Sequence, residues 1–151
     1  MLGDIVCPDG TAYMPGADAY LATGRVMLAM GEAERATTLV QPIVDAARRV
    51  GWVEAQAGGA VVLGRCAEAV GRADDALELF RDAIEIAVDK GMPIMERDGR
   101  VAFATALTAT DTAEADRQSS LAAAITVRLR AGTQGARLEE GDPARPERVD
   151  R

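Results

Sequence analysis

Two arginines at one repeated position are the residues of this chain best placed to do chemistry. Arg25 and Arg65 lie 40 positions apart, each directly after a glycine, Gly24 and Gly64. A guanidinium is a planar fork of donors, and two held in register can grip a carboxylate or a phosphate. The same spacing lets each arginine pair with an acid on a neighbouring helix, and both readings stand. The rest of the inventory excludes more than it offers. The 151 residues contain no His and no Asn. Ser-His-Asp and Cys-His-Asn triads, His-ligated metals and His general bases are therefore ruled out. Two cysteines, Cys7 and Cys66, are too few for a zinc site or a disulfide framework. Cys66 sits in an apolar run and reads as a small buried hydrophobe. The acid pair Asp74-Asp75 falls in a helix-initiating turn, where it suits the helix dipole. Glu139-Glu140 falls in a polar tail. Neither resembles a catalytic dyad with separated environments. No catalytic residue, metal or cofactor is expected, and the chain does not read as an enzyme.

Composition sets the scaffold. Hydrophobic residues make up 48%, charged ones 27% and aromatics 3%, and Ala, the best helix former, dominates. The fold class is therefore all-α. The net charge of −7 disfavours nucleic acid, which needs a basic face, and anionic membranes. No apolar run approaches the roughly 18 residues of a spanning helix. The N-terminus lacks the basic and apolar regions of a signal peptide, so the expected location is cytoplasmic.

Internal repetition organises the chain. Gly24 matches Gly64, Arg25 Arg65, Gly31 Gly71, Ala33 Ala73 and Ala36 Ala76, all at an offset of 40 without a gap. Gly51-Trp52 matches Gly91-Met92 at the same offset. A weaker third copy places Ala104-Thr105 under the Gly-Arg pair and Asp111 under Gly31 and Gly71. Each unit reads as two helices, A and B, and the expected domain spans 17–132. In the second unit, helix B (73–89) carries Ala73, Ala76, Leu77, Phe80, Ala83, Ile84 and Ala87, the stripe of an amphipathic helix. Gly71 separates A from B. Gly91 ends B, with Met92 packing back on its helix as Trp52 does after Gly51. Pro93 opens the next helix, where its missing N–H costs nothing. Gly24 and Gly64 lie mid-helix at about 1 kcal/mol each relative to Ala, and the shared cause is a close A–B approach that a Cβ would block. Pro42 should kink the first B helix without ending it.

The third unit has helix A near 93–109 and helix B near 112–131. Asp111-Thr-Ala-Glu114 reads as a capping box. Its apolar seam is Leu121, Ile125 and Leu129, with Asp116, Arg117, Gln118, Ser119 and Arg128 on the outer face of a terminal helix. Residues 1–16, rich in Gly and Pro, read as coil. The polar segment 133–151 reads as a disordered tail.

The second unit resembles a tetratricopeptide repeat (TPR), carried by Gly64, Gly71 and Ala76-Leu-Glu-Leu-Phe80-Arg-Asp-Ala83. It departs from that family in helix A, where Ala60 and Ala67 stand at aromatic positions. Its unit is also longer, 40 residues against about 34. Val40 replaces the Phe in the first unit, and the third keeps little beyond Ala104 and Ala123. The resemblance implies three antiparallel helix pairs stacked as a short right-handed TPR-like solenoid. The long unit, Leu63-Gly-Arg65 and the Gly-Trp exit resemble the sensory repeat region of large, ATP-dependent LuxR-type bacterial transcriptional regulators. Neither that family's nucleotide-binding motif nor its helix-turn-helix is visible. The resemblance thus implies a free-standing or excised piece of the repeat region.

In such a solenoid the A helices line the concave surface. The register places Leu21, Arg25 and Leu28 there from the first unit, with Asp18. Val61, Arg65 and Glu68 follow from the second, and Asp98, Val101, Thr105 and Thr108 from the third. The expected function is a protein–protein interaction scaffold whose partner is a protein or acidic peptide. The alternative is an effector-sensing module for a small anionic ligand or peptide. A homodimer through an open repeat end is a further expectation. Trp52 reads as a repeat-exit cap rather than a binding hot spot.

Overall fold

The computed structural model describes residues 17–140, with side chains through residue 132. It contains six helices: α1 (Ala17–Ala29), α2 (Ala33–Val50), α3 (Val53–Ala69), α4 (Ala73–Asp89), α5 (Pro93–Leu107) and α6 (Thr112–Glu140). There is no strand among the described residues. The expected coil at 1–16 lies outside them, as does 141–151. Residues 133–140, expected to be disordered tail, are instead the end of α6. Gly132 and Gly135 cost propensity but do not prevent a helix from continuing, because neither removes a donor.

Four connections share one design. Gly31, Gly51, Gly71 and Gly91 adopt φ of 80°, 73°, 79° and 63°, a left-handed conformation that costs glycine nothing and other residues strain. The residue after each donates its N–H to the carbonyl five positions back. These bonds are Glu32 to Met27 (2.9 Å) and Trp52 to Ala47, Arg72 to Ala67 and Met92 to Ala87 (2.8 Å each). They close each helix, and the next begins one residue later. The fifth connection departs. Asp111, aligned by sequence with Gly31 and Gly71, is not left-handed. It stands directly before α6, and its Oδ1 accepts the Glu114 N–H at 3.0 Å. An aspartate cap replaces a glycine turn there, satisfying a donor that the helix start leaves free.

Glycines inside helices set how closely neighbours approach. A Cβ on Gly24 would lie 2.5 Å from Val40 Cγ2, and one on Gly64 would lie 2.5 Å from Phe80 Cε1. Val40 and Phe80 are the same position in successive repeats, so the expected close approach of A and B recurs. A second glycine pair does the same between units. A Cβ on Gly59 would collide with Val44 Cγ2, and one on Gly99 would stand 3.0 Å from Ile84 Cγ1. Consecutive helices pack against each other throughout. In addition α1 touches α3 and α3 touches α5, whereas α2, α4 and α6 do not touch one another.

Of the expected α4 stripe, Ala76, Phe80, Ala83 and Ala87 are buried, while Ala73 is exposed and Leu77 and Ile84 are half-buried. Phe80 is fully enclosed and clusters with Ala67, Ala76, Ala102, Phe103, Leu107 and Ala115. Helix α2 runs unbroken through Pro42. Pro42 and Thr38 both lie on the exposed side, so the carbonyl that loses its bond can turn to water.

The seam of α6 differs from the expected one. Ala115, Gln118, Ala122 and Ile125 are buried, whereas Leu121 is 37% exposed. Gln118, expected outside, is tolerated inside because its polar atoms are satisfied. Its Oε1 accepts from Arg100 Nη1 at 2.7 Å, and its Nε2 donates to Glu114 Oε1 at 2.7 Å. Arg100 also donates to Glu96 at 2.8 Å, and Arg117 forks both oxygens of Glu114 at 2.6 Å. This chain ties α5 to α6. Donation from Arg117, then Gln118, lowers the Glu114 carboxyl to about 2.

Phe80→Ala should cost about 3–5 kcal/mol, the usual range for a buried Phe, read by urea titration. A loss under about 1 kcal/mol would contradict this packing. The polar chain yields a pH dependence. A depressed carboxyl stabilises the fold fully above its unfolded value and loses that contribution as pH falls through the folded one. The stability difference between the native chain and Glu114→Gln should therefore hold at neutral pH and shrink from pH 4.5 toward about 2. Acid titration of both proteins by circular dichroism checks it.

Candidate functional site

The contacts of α3 with α1 and with α5 make these helices one wall, and a groove of about 500 Å³ crosses it. Arg25 and Leu28 enter it from α1, Val61 and Arg65 from α3, and Asp98 from α5. Val101 joins them from α5, so six of the eleven residues expected on this face meet in one place. Ala29, Val62 and Met95 complete the apolar lining. Gly58 opens the floor, since a Cβ there would stand 3.3 Å from Leu21 Cδ1 and 3.9 Å from Met95 Sδ.

The other five expected residues fall elsewhere, Asp18 at an exposed position that does not line the groove. Leu21 is 4% exposed and belongs to the core, not to the surface. The reason is the Gly58-Gly59 pair, which leaves room for its methyl groups against α3. Glu68 is exposed but does not line the groove. The hollow crosses obliquely from the last turns of α1 to the first half of α5, and the last turn of α3 falls beside it. Thr105 lines a neighbouring hollow of about 390 Å³ between α5 and α6, which shares Val101 with the first. Its hydroxyl donates to the Val101 carbonyl at 2.8 Å, and Thr108 does the same to Ala104 at 3.1 Å. These threonines offer a ligand lone pairs rather than protons.

Two arginines supply the positive charge of the groove. Neither Arg25 nor Arg65 makes a side-chain hydrogen bond or ion pair among the described residues, and both are exposed. Of the other arginines, Arg35 pairs with Glu32, Arg72 with Asp75, Arg100 with Glu96 and Arg117 with Glu114, while Arg49, Arg81, Arg128 and Arg130 also lack an ion pair among the described residues. Arg25 and Arg65 differ from these in that both line one groove. The acid that lines the groove is already engaged, as Asp98 Oδ1 accepts from Arg97 Nε at 2.9 Å and from Nη2 at 2.6 Å. The groove therefore presents two cations that are unpaired among the described residues beside an apolar lining, on a chain of net charge −7.

Met95 and Gly58 were not placed in the groove from the sequence, Met95 reading there as gap-filling core or rim. Each lies three residues before a predicted lining residue, Asp98 and Val61, so helical spacing alone could have found them. Trp52 is half-buried against Ala17, Ile43, Ala47 and Ala55, away from the groove. Cys66 is fully buried, and burial pushes its thiol up. Among the described residues no group of three His, Cys, Asp or Glu could hold a metal ion. No helix there is long and apolar enough to cross a membrane.

No protein-family model, curated protein or solved structure matches this chain, so its function is argued from the chemistry of the groove.

Proposed function

We propose that this chain is a non-enzymatic protein-interaction scaffold of the tetratricopeptide-repeat type that takes an acidic segment of a partner into the groove over α1, α3 and α5. The observation that carries the reading is the unpaired state of Arg25 and Arg65 beside an apolar floor. A site for a carboxylate needs donors not already spent within the protein, and Arg is the residue suited to that fork. Continuity through Val101 into the hollow of Thr105 favours an extended occupant over a compact one. In this reading α1/α2, α3/α4 and α5/α6 are three antiparallel pairs stacked as a short right-handed solenoid. The short glycine turns and the contacts of the odd helices support it. The TPR and LuxR-type resemblances add a regulatory role in the bacterial cytoplasm.

A second reading has an observation of its own. The groove of about 500 Å³ is lined from three helices and falls in the 300–1,000 Å³ range of small-molecule sites. A small anionic effector would fit it.

The two readings separate in one titration. A fluorescent peptide alternating Glu and Leu should bind, with an affinity that falls as salt rises. Arg25→Ala with Arg65→Ala should abolish that binding while helicity stays unchanged, since both side chains are exposed and tied to nothing. Binding of a small dicarboxylate but not of the peptide would favour the effector reading. A folded double variant that still binds the peptide would overturn both.

A further inference from the structure

The opposite side of the chain carries a groove of different chemistry. Helices α4 and α6 do not touch, and α5 packs against both. Between them, with α5 as its floor, lies a hollow of about 740 Å³. Val88, 52% exposed, and the half-buried Ile84 supply its apolar surface, with the buried Phe103 and Leu107 beneath them. Its rim carries four carboxylates, Glu85, Asp89, Asp111 and Glu114, against the guanidiniums of Arg81 and Arg117.

One guanidinium is neutralised, and the other keeps its charge against the remaining carboxylates. Arg117 is forked by Glu114 at 2.6 Å, and Arg81 lies 5.3 Å from the centroid of the Phe103 ring. On the carboxylate side Glu85 has no partner among the described residues, and Asp89 is ion-paired with Lys90 at 2.7 Å, an exposed surface pair of the kind that contributes little and exchanges readily. A ligand entering the hollow thus meets hydrophobic side chains flanked by excess negative charge. The corresponding interval one repeat earlier lacks this character. There Arg48 and Arg49 stand where Val88 and Asp89 stand here, and Leu63 replaces Phe103.

We propose that the α4–α6 groove is a second docking site, for a basic amphipathic helix of a partner protein. Such a helix lays an apolar stripe into a groove and flanks it with Lys or Arg. Here the stripe would cover Val88, Ile84 and the Phe103 edge, and the basic flank would face Glu85 and Asp89. Complementary charge at the rim steers the encounter and fixes orientation. The site is independent of Arg25 and Arg65, so the chain would hold an acidic segment on one face and a basic one on the other.

The probe is a labelled 14-residue peptide of Leu and Lys at helical spacing, with a scrambled peptide of the same composition as control. Binding to the full chain is read by fluorescence anisotropy. The ordered peptide should bind at least about tenfold more tightly than the scrambled one. Glu85→Lys with Asp89→Lys, both exposed, should weaken it about tenfold. The control pair Glu34→Lys with Glu54→Lys, equal in charge but remote, should change it little. Arg25→Ala with Arg65→Ala should leave it intact, which separates this test from that of the first groove. Val88→Asp, at an exposed position, should weaken it as well. Failure of the ordered peptide to bind overturns the proposal. So does equal weakening by the two charge-reversal pairs, which would mean attraction to net charge alone.

Discussion

The architecture depends on glycines that let one helix backbone rest directly on a neighbour's side chain. Gly24 sits on Val40 and Gly64 on Phe80, and a Cβ at either would stand 2.5 Å from the partner. Gly59 on Val44 and Gly99 on Ile84 repeat the device between units. Each mid-helix glycine sacrifices about 1 kcal/mol of helix propensity, and close contact with a buried side chain returns it. The exchange works only while the partner's size is matched to the gap, because an interior packed at crystal density has no slack for an added methyl.

That constraint gives the molecule its two faces. Glycines in α3 and α5 bring these helices tightly onto their neighbours, and α1, α3 and α5 join into one wall. Helices α2, α4 and α6 stay apart, leaving a hollow over α5. One face presents arginines that are unpaired among the described residues beside Leu28, Val61 and Met95. The other presents Glu85 and Asp89 beside Val88 and Phe103. The charges are exposed and add little to stability, so their arrangement is free to serve binding.

Much of this was legible in the residues. The offset of 40 placed the helices, the close approach at Gly24 and Gly64, and six residues of the groove. It also contained Gly59 and Gly99, which are 40 apart but sit among other glycines and small residues that hide a single match. Leu21 was misplaced because its neighbour across the interface is a pair of glycines, and the depth of a side chain depends on what it faces. Gln118 was misplaced because polarity alone put it outside. Its burial rests on Arg100, a partner on another helix that periodicity cannot see. The extension of α6 to Glu140 ran against two glycines whose local cost proved too small to stop it. Asp111 took over the place of a turn glycine by a different device, a cap.

The central claim is that glycine and its facing side chain act as one unit. A double-mutant cycle on Gly64→Ala and Phe80→Ala tests it most directly, with stability read by urea unfolding. Gly64→Ala alone should destabilise by about 1–3 kcal/mol, the usual toll of overpacking. In the Phe80→Ala background the added methyl enters vacated space, and the same change should cost nothing or stabilise. The coupling should then be at least about 1 kcal/mol, well above the roughly 0.3–0.5 kcal/mol scatter of independent sites. Additive effects would contradict the account, for they would mean that Gly64 and Phe80 do not share the contact on which the repeat is built.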